Sequence, residues 1–220
     1  MSEQTAVAGP GPAKHTPPRH LSMVRSFHLA DLFTLANGCC GTAAIFLAIA
    51  YARKGGAGHI YAAGAVIALA LVFDVLDGRV ARWRHRTSPM GRELDSLADV
   101  ISFGVAPACL GYAVGLTGFW DQLALLYFVA CGISRLARYN ITAEAISQEA
   151  GKVTYFEGTP IPTSVLLVLL LVWLAKAGRI GEALWGGAVR IGLSELHLLA
   201  LAFVLSGSLM ISKTLRIPKP

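Results

Sequence analysis

Phe73-Asp74-Val75-Leu76-Asp77-Gly78-Arg79-Val80-Ala81-Arg82 runs out of one long apolar block, and Gly91-Arg92-Glu93-Leu94-Asp95-Ser96-Leu97-Ala98-Asp99 leads into the next. Asp74 and Asp77 are three residues apart, and Asp95 and Asp99 are four apart. At either spacing the two side chains share one face of a helix. The polar connection 84–91, with Ser88-Pro89 as a breaker, makes the two helices antiparallel neighbours whose carboxylates can converge. The flanking apolar blocks, residues 60–80 and 94–116, match the ~20 helical residues that a bilayer crossing needs. The four acids therefore belong at a membrane boundary.

The rest of the chain agrees. Of its 220 residues 55% are hydrophobic and only 15% charged, against about 25% charged in soluble domains. That composition excludes an ordinary soluble protein and a disordered one. Further apolar blocks cover residues 32–52, 119–136, 161–175 and 196–211. The expected fold class is thus all-α, a polytopic membrane helical bundle of about six transmembrane helices. Residues 1–24, with Gly-Pro-Gly-Pro and Pro17-Pro18, read as a flexible tail, and 25–220 as the membrane-embedded domain. Residues 180–193, with Trp185, Arg190 and several glycines, read as an interfacial segment.

The net charge is +6. Fourteen of the nineteen Lys and Arg residues fall in the tail, the second and fourth loops with their helix ends, and the C-terminus. The positive-inside rule then places both termini and the second loop in the cytoplasm, and the protein in the inner or plasma membrane of its cell. Nucleic acid is excluded as a partner, because the basic residues are spread over loops instead of gathered on one face. Cys39, Cys40, Cys109 and Cys131 lie inside apolar stretches and read as free thiols. His59 and His85 read as loop residues without a role. No inverted-repeat pattern speaks for a transporter.

Four carboxylates cannot sit together unpaired near hydrocarbon. Pairing with Arg79, Arg82 and Arg92 is one remedy, and divalent cations are the other. An all-oxygen donor set that leaves positions open for phosphate suits Mg²⁺ or Mn²⁺. Gly78 and Ala81 leave room for a ligand against the backbone, and Arg82 is placed to clamp phosphate. Thr34 and Asn37 share a face of the first helix, where they either hold cytosine or ribose or pack polar atoms between helices. Arg135 and Arg138, three apart at the expected end of the fourth helix, either bind a carboxylate or anchor the helix at the interface.

The pattern D-x2-D-G-x2-A-R-x8-G-x3-D-x3-D, complete here from Asp74 to Asp99, resembles the signature of the CDP-alcohol phosphotransferases. The runs from Leu94 to Pro107, Arg135 to Asn140 and Phe156 to Pro162, with Leu32 to Gly38, look like its serine-using branch. Ala30-Asp31 stands where that branch often has Pro-Asn, and Thr159 where it usually has Leu. The resemblance implies an integral-membrane homodimer that moves a phosphatidyl group from CDP-diacylglycerol to L-serine and releases CMP. Carried over, Asp74, Asp77, Asp95 and Asp99 would ligate a two-metal site of Mg²⁺ or Mn²⁺, with Asp99 also the general base. Gly78, Ala81 and Arg82 would line the nucleotide and diphosphate. The rivals are the same transfer to glycerol 3-phosphate or an inositol phosphate, and a cation transporter using the acids as its ion site.

Overall fold

The computed structural model describes residues 29–83, 89–148, 155–212 and 216–218. Their helices form six rods. These are α1 (Leu29–Lys54), α2 (Gly58–Trp83), a composite rod made of α3 (Pro89–Asp99), a π-helical turn (Val100–Val105) and α4 (Ala106–Ala113), then α5 (Phe119–Gln148), α6 (Val165–Lys176) and α7 (Ala200–Ile211). A 3₁₀ turn, Ile161–Ser164, leads into α6.

α1 stops where Gly55 and Gly56 take φ of 68° and 89°, a left-handed backbone that costs other residues dearly. The Gly55 N–H still reaches the Tyr51 carbonyl at 2.7 Å, and α2 starts at Gly58 running the other way. His59, expected in a loop, sits in that first turn with Nδ1 2.9 Å from the Gly55 carbonyl. The two helices form the most extensive pair in the molecule. On α1 the buried stripe is Asp31, Thr34, Asn37, Gly41, Ala44 and Ala48; on α2 it is Ile60, Ala63, Ile67, Ala70 and Asp77, with Asp74 half-buried on the same line. Each stripe is apolar or small toward the α1–α2 turn and polar at the other end.

The outward faces are apolar instead. Phe46, Leu126 and Leu166 are 66%, 67% and 69% exposed. Apolar outside and partly polar inside is the arrangement expected when the surrounding solvent is hydrocarbon. Ala30–Lys54, Gly58–Val80 and Met90–Ala113 are long and apolar enough to cross a membrane unaided. α5 is long but more polar, and the apolar helices Ile161–Lys176 and Ala200–Ile211 are shorter.

The third rod widens for a local reason. Pro107 has no N–H to give the Phe103 carbonyl, and its ring would strike that carbonyl in regular α geometry. The turn before it opens to π spacing, with the Ala106 N–H donating to the Ile101 carbonyl. Ser102, Phe103 and Gly104 are all buried there. Farther out, Phe128 of α5 meets Phe203 of α7 edge-on at 5.4 Å.

Three expectations need correction. The molecule is mostly helical rather than all-α. Residues 180–193, read as an interfacial segment, are not helical throughout. They contribute β2 (Ala188–Ile191), which pairs antiparallel with β3 (Ser194–His197) around Gly192 at φ 64°. Alternating side chains on both sides of a glycine favour such a hairpin over a helix. β1 (Tyr155–Glu157) likewise pairs with β4 (Arg216–Pro218), joining the α5–α6 connection to the C-terminal segment. Finally, α5 continues three turns past residue 136, so Arg135 and Arg138 lie within the helix and not at its end.

The β2–β3 hairpin is strapped to the start of α5. The Phe119 N–H donates to Ser194 Oγ (2.8 Å) and Trp120 Nε1 to the Ile191 carbonyl (3.1 Å). Asp121, fully buried, accepts the His197 N–H at 2.8 Å and lies 2.6 Å from His197 Nδ1. Gly118 is needed beside them, because a Cβ there would collide with the Glu195 carbonyl oxygen.

Candidate active site

The polar ends of the α1 and α2 stripes meet α3 at one end of the bundle. Helical spacing brings Asp74 and Asp77 from α2 to this point, and Asp95 and Asp99 from α3. One carboxylate oxygen from each of Asp74, Asp95 and Asp99 lies within 4.8 Å of the others. Asp77 is buried beside this triple, and its Oδ2 accepts the Thr34 hydroxyl at 2.8 Å. Asp99 is buried as well, and its Oδ1 accepts Asn37 Nδ2 at 3.1 Å.

Two remedies for crowded carboxylates were open, pairing with Arg79, Arg82 and Arg92 or a bound cation, and the Arg82 side chain lies outside the described residues. Among the described residues no ion pair reaches any of these four acids; the ion pair found there joins His197 to Asp121. Asp95 Oδ1 is buried without a hydrogen-bond partner. Anionic oxygens brought this close, one of them buried and unpaired, are strongly unfavourable unless a cation joins them or a proton neutralises one. The donors are all hard oxygens, which fits Mg²⁺ or Mn²⁺ better than a soft metal. The cluster therefore fits divalent-cation binding.

The neighbouring groups divide into three sets. Thr34 and Asn37 come to the site, but their donors are turned onto the carboxylates. Among the described residues the space beside Gly78 is open, since a Cβ added there would meet none of their atoms within 4 Å. Ala81 and Arg82 lie on the last turn of α2, and their side chains lie outside the described residues, as does His85. Arg135 on α5 is within electrostatic range of Asp99, and its Nε is buried without a hydrogen-bond partner. Arg138, three residues on, is half-buried.

Several further groups lie at this end. Asp31 is buried on the same stripe as Thr34 and Asn37 and is within electrostatic range of Asp77. Its spacing of three from Thr34 was a usable signal. Ser102 Oγ donates to the Asn37 carbonyl at 2.8 Å. Asn140 Nδ2 donates to Ser96 Oγ at 3.0 Å, tying α5 to α3. No local pattern marks these last two, because each joins residues distant in the chain.

Known proteins resemble this chain over nearly its whole length. The family model described as CDP-alcohol phosphatidyltransferase matches residues 27–207. The CDP-diacylglycerol–serine O-phosphatidyltransferase of Saccharomyces cerevisiae is 43% identical over 204 residues, covering 91% of this chain and 74% of that protein. The Helicobacter pylori protein of the same name is 38% identical over 176 residues, 79% of this chain and 68% of its own. The Mycobacterium tuberculosis protein of that name is 37% identical over 159 residues, 71% of this chain and 52% of its own. The matched stretch thus spans about half of the mycobacterial relative.

Proposed function

Since the chain belongs to the CDP-alcohol phosphatidyltransferase family, we propose that it transfers the phosphatidyl group of CDP-diacylglycerol to the hydroxyl of L-serine. The observation that carries this reading is the convergence of Asp74, Asp95 and Asp99 within 4.8 Å at one end of a membrane bundle. The names borne by the relatives supply the acceptor.

Asp74, Asp77, Asp95 and Asp99 would hold two Mg²⁺ or Mn²⁺ ions. Such ions, when bound, neutralise the diphosphate and the charge that builds on it in the transition state. The serine oxygen forms a bond to the phosphorus that carries diacylglycerol, and the bond from that phosphorus to the CMP oxygen breaks. Asp99 takes the hydroxyl proton; a buried carboxylate with one oxygen already bonded by Asn37 presents the other. Gly78 leaves the open face along which the nucleotide approaches, with Ala81 and Arg82 on the adjoining turn. Arg135, with an unpartnered Nε near Asp99, binds the serine carboxylate and so brings the hydroxyl to the base. Arg138 stands one turn along the same face.

The position of the site follows from its substrates. The acyl chains stay in the bilayer while CMP leaves to water, so the reacting phosphorus belongs at the boundary. The positive-inside count assigns that boundary to the cytoplasm, together with both termini.

Purified protein in detergent, given CDP-diacylglycerol and Mn²⁺, tests the whole reading. We expect CMP release that depends on L-serine and stops with EDTA. Release only with glycerol 3-phosphate or an inositol phosphate would remove serine from the proposal. A folded protein that releases no CMP with any acceptor would overturn the transferase reading and favour an ion site.

A further inference from the structure

Building on the reading of Asp99 as the general base, we propose that Asn37 is the positioning residue for Asp99, and that Ser102 of the π-helical turn holds Asn37 in place. Asn37 is fully buried on α1, and its Nδ2 donates to Asp99 Oδ1 at 3.1 Å. An ionised carboxylate only accepts, so it dictates which end of the amide faces it. Asn37 Oδ1 then points away, buried and unpartnered, with no competing bond to draw the amide off Asp99. One oxygen of Asp99 is fixed and the other is left for the reaction.

The amide is itself held. Ser102 Oγ donates to the Asn37 backbone carbonyl at 2.8 Å, and Ser102 lies three residues beyond Asp99 on the same rod. The three residues close a circuit: Asp99 to the Asn37 side chain, the Asn37 backbone to the Ser102 side chain, and Ser102 back to Asp99 through the chain. Close approach of α1 makes the circuit possible. A Cβ at Gly41 would lie 2.6 Å from Ser102 Cα and 2.8 Å from its backbone nitrogen, so only glycine admits the π-helical turn this near. The circuit explains why a buried asparagine sits at Asp99, a place where a direct nucleotide contact would demand exposure.

Five proteins decide the matter: wild type, Asn37→Ala, Asp99→Asn, their double variant and Ser102→Ala. Mn²⁺ affinity is measured by electron paramagnetic resonance titration, and kcat and KM by CMP release. We expect Asn37→Ala to lower kcat by about 10–100-fold, the range typical of groups that orient a metal-site ligand. KM for CDP-diacylglycerol should stay within about twofold. Mn²⁺ affinity should fall roughly tenfold in the wild-type background, and not further in the Asp99→Asn background. Ser102→Ala should give a smaller loss in the same direction, and it replaces Asn37→Ala if that variant does not fold. A raised KM with unchanged kcat would overturn the proposal and make Asn37 a nucleotide contact. A further loss of Mn²⁺ affinity in the Asp99→Asn background, or no loss anywhere, would overturn it too. Normal turnover by Asp99→Asn would remove the general-base reading alone, since the Mn²⁺ titration reports on the tether separately.

Discussion

Replacing Gly41 by alanine pushes α1 and the π-helical turn apart at a point where neither can yield by rotating a side chain. The new Cβ would stand 2.6 Å from Ser102 Cα. Ordinary carbon contacts lie at ~3.5–4.0 Å, so the two backbones must separate by roughly 1 Å. The Asn37–Asp99 bond at 3.1 Å would lengthen beyond hydrogen-bonding range if α1 moved as a unit. Overpacking a core costs about 1–3 kcal/mol, and a clash with backbone belongs in the upper part of that range. Alanine regains about 1 kcal/mol of helix propensity over glycine. The net loss is therefore on the order of 1–2 kcal/mol, seen as a lower midpoint in thermal unfolding in detergent. The lost bond to a charged group is worth about 1.5–3 kcal/mol, which sets a fall in kcat of roughly 10-fold or more. A Gly41→Ala protein with the thermal midpoint and kcat of the parent would refute the close approach and the tether built on it.

Gly78→Ala is the contrasting case, since its Cβ meets no atom of the described residues within 4 Å. It should gain up to about 1 kcal/mol in stability while raising KM for CDP-diacylglycerol; an unchanged KM would take the nucleotide away from that face. Arg135→Ala should raise KM for serine by about 10–100-fold, the worth of a charge-assisted carboxylate contact. Competition by serine analogues lacking the carboxylate should lose its dependence on Arg135, and an unaltered serine KM would sink the assignment. His197→Ala removes the imidazole from the buried Asp121, which keeps the Gly118 and His197 backbone N–H groups, and should cost about 1.5–3 kcal/mol in unfolding experiments. Asp121 and Arg135 are about 21 Å apart along α5, so serine KM should not change; if it does, the hairpin acts on the site.

The acid pairs were readable because spacings of three and four convert directly into a helix face, and Asp74, Asp95 and Asp99 do converge. Hydropathy likewise located the rods, since the cost of burying backbone in lipid leaves helices as the economical choice. Where α5 ends was not readable from apolarity, because residues 137–148 leave the apolar block yet continue the helix. The π-helical turn had a signal in Pro107, but a proline alone does not say whether a helix kinks, stops or widens. Asn37 was recognised as polar on an inner face, and its partner was not: the bond to Asp99 joins residues 62 apart. Only packing specifies such a pairing.

The shortness of the last two rods bears on the membrane itself. Ile161–Lys176 and Ala200–Ile211 extend roughly 24 Å and 18 Å at the rise of an α-helix, against hydrocarbon about 30 Å thick. α1 and α2, at 26 residues each, exceed that thickness. The protein thus combines helices taller than the hydrocarbon with helices shorter than it, α6 packed against the long α2 and α7 against the long α5. Where a short helix faces lipid, the bilayer thins or the flanking segments cover the difference, at fractions of a kcal/mol per ångström of mismatch. Acyl-chain length in the host bilayer thereby becomes a variable to which neighbouring helices of this fold respond unequally.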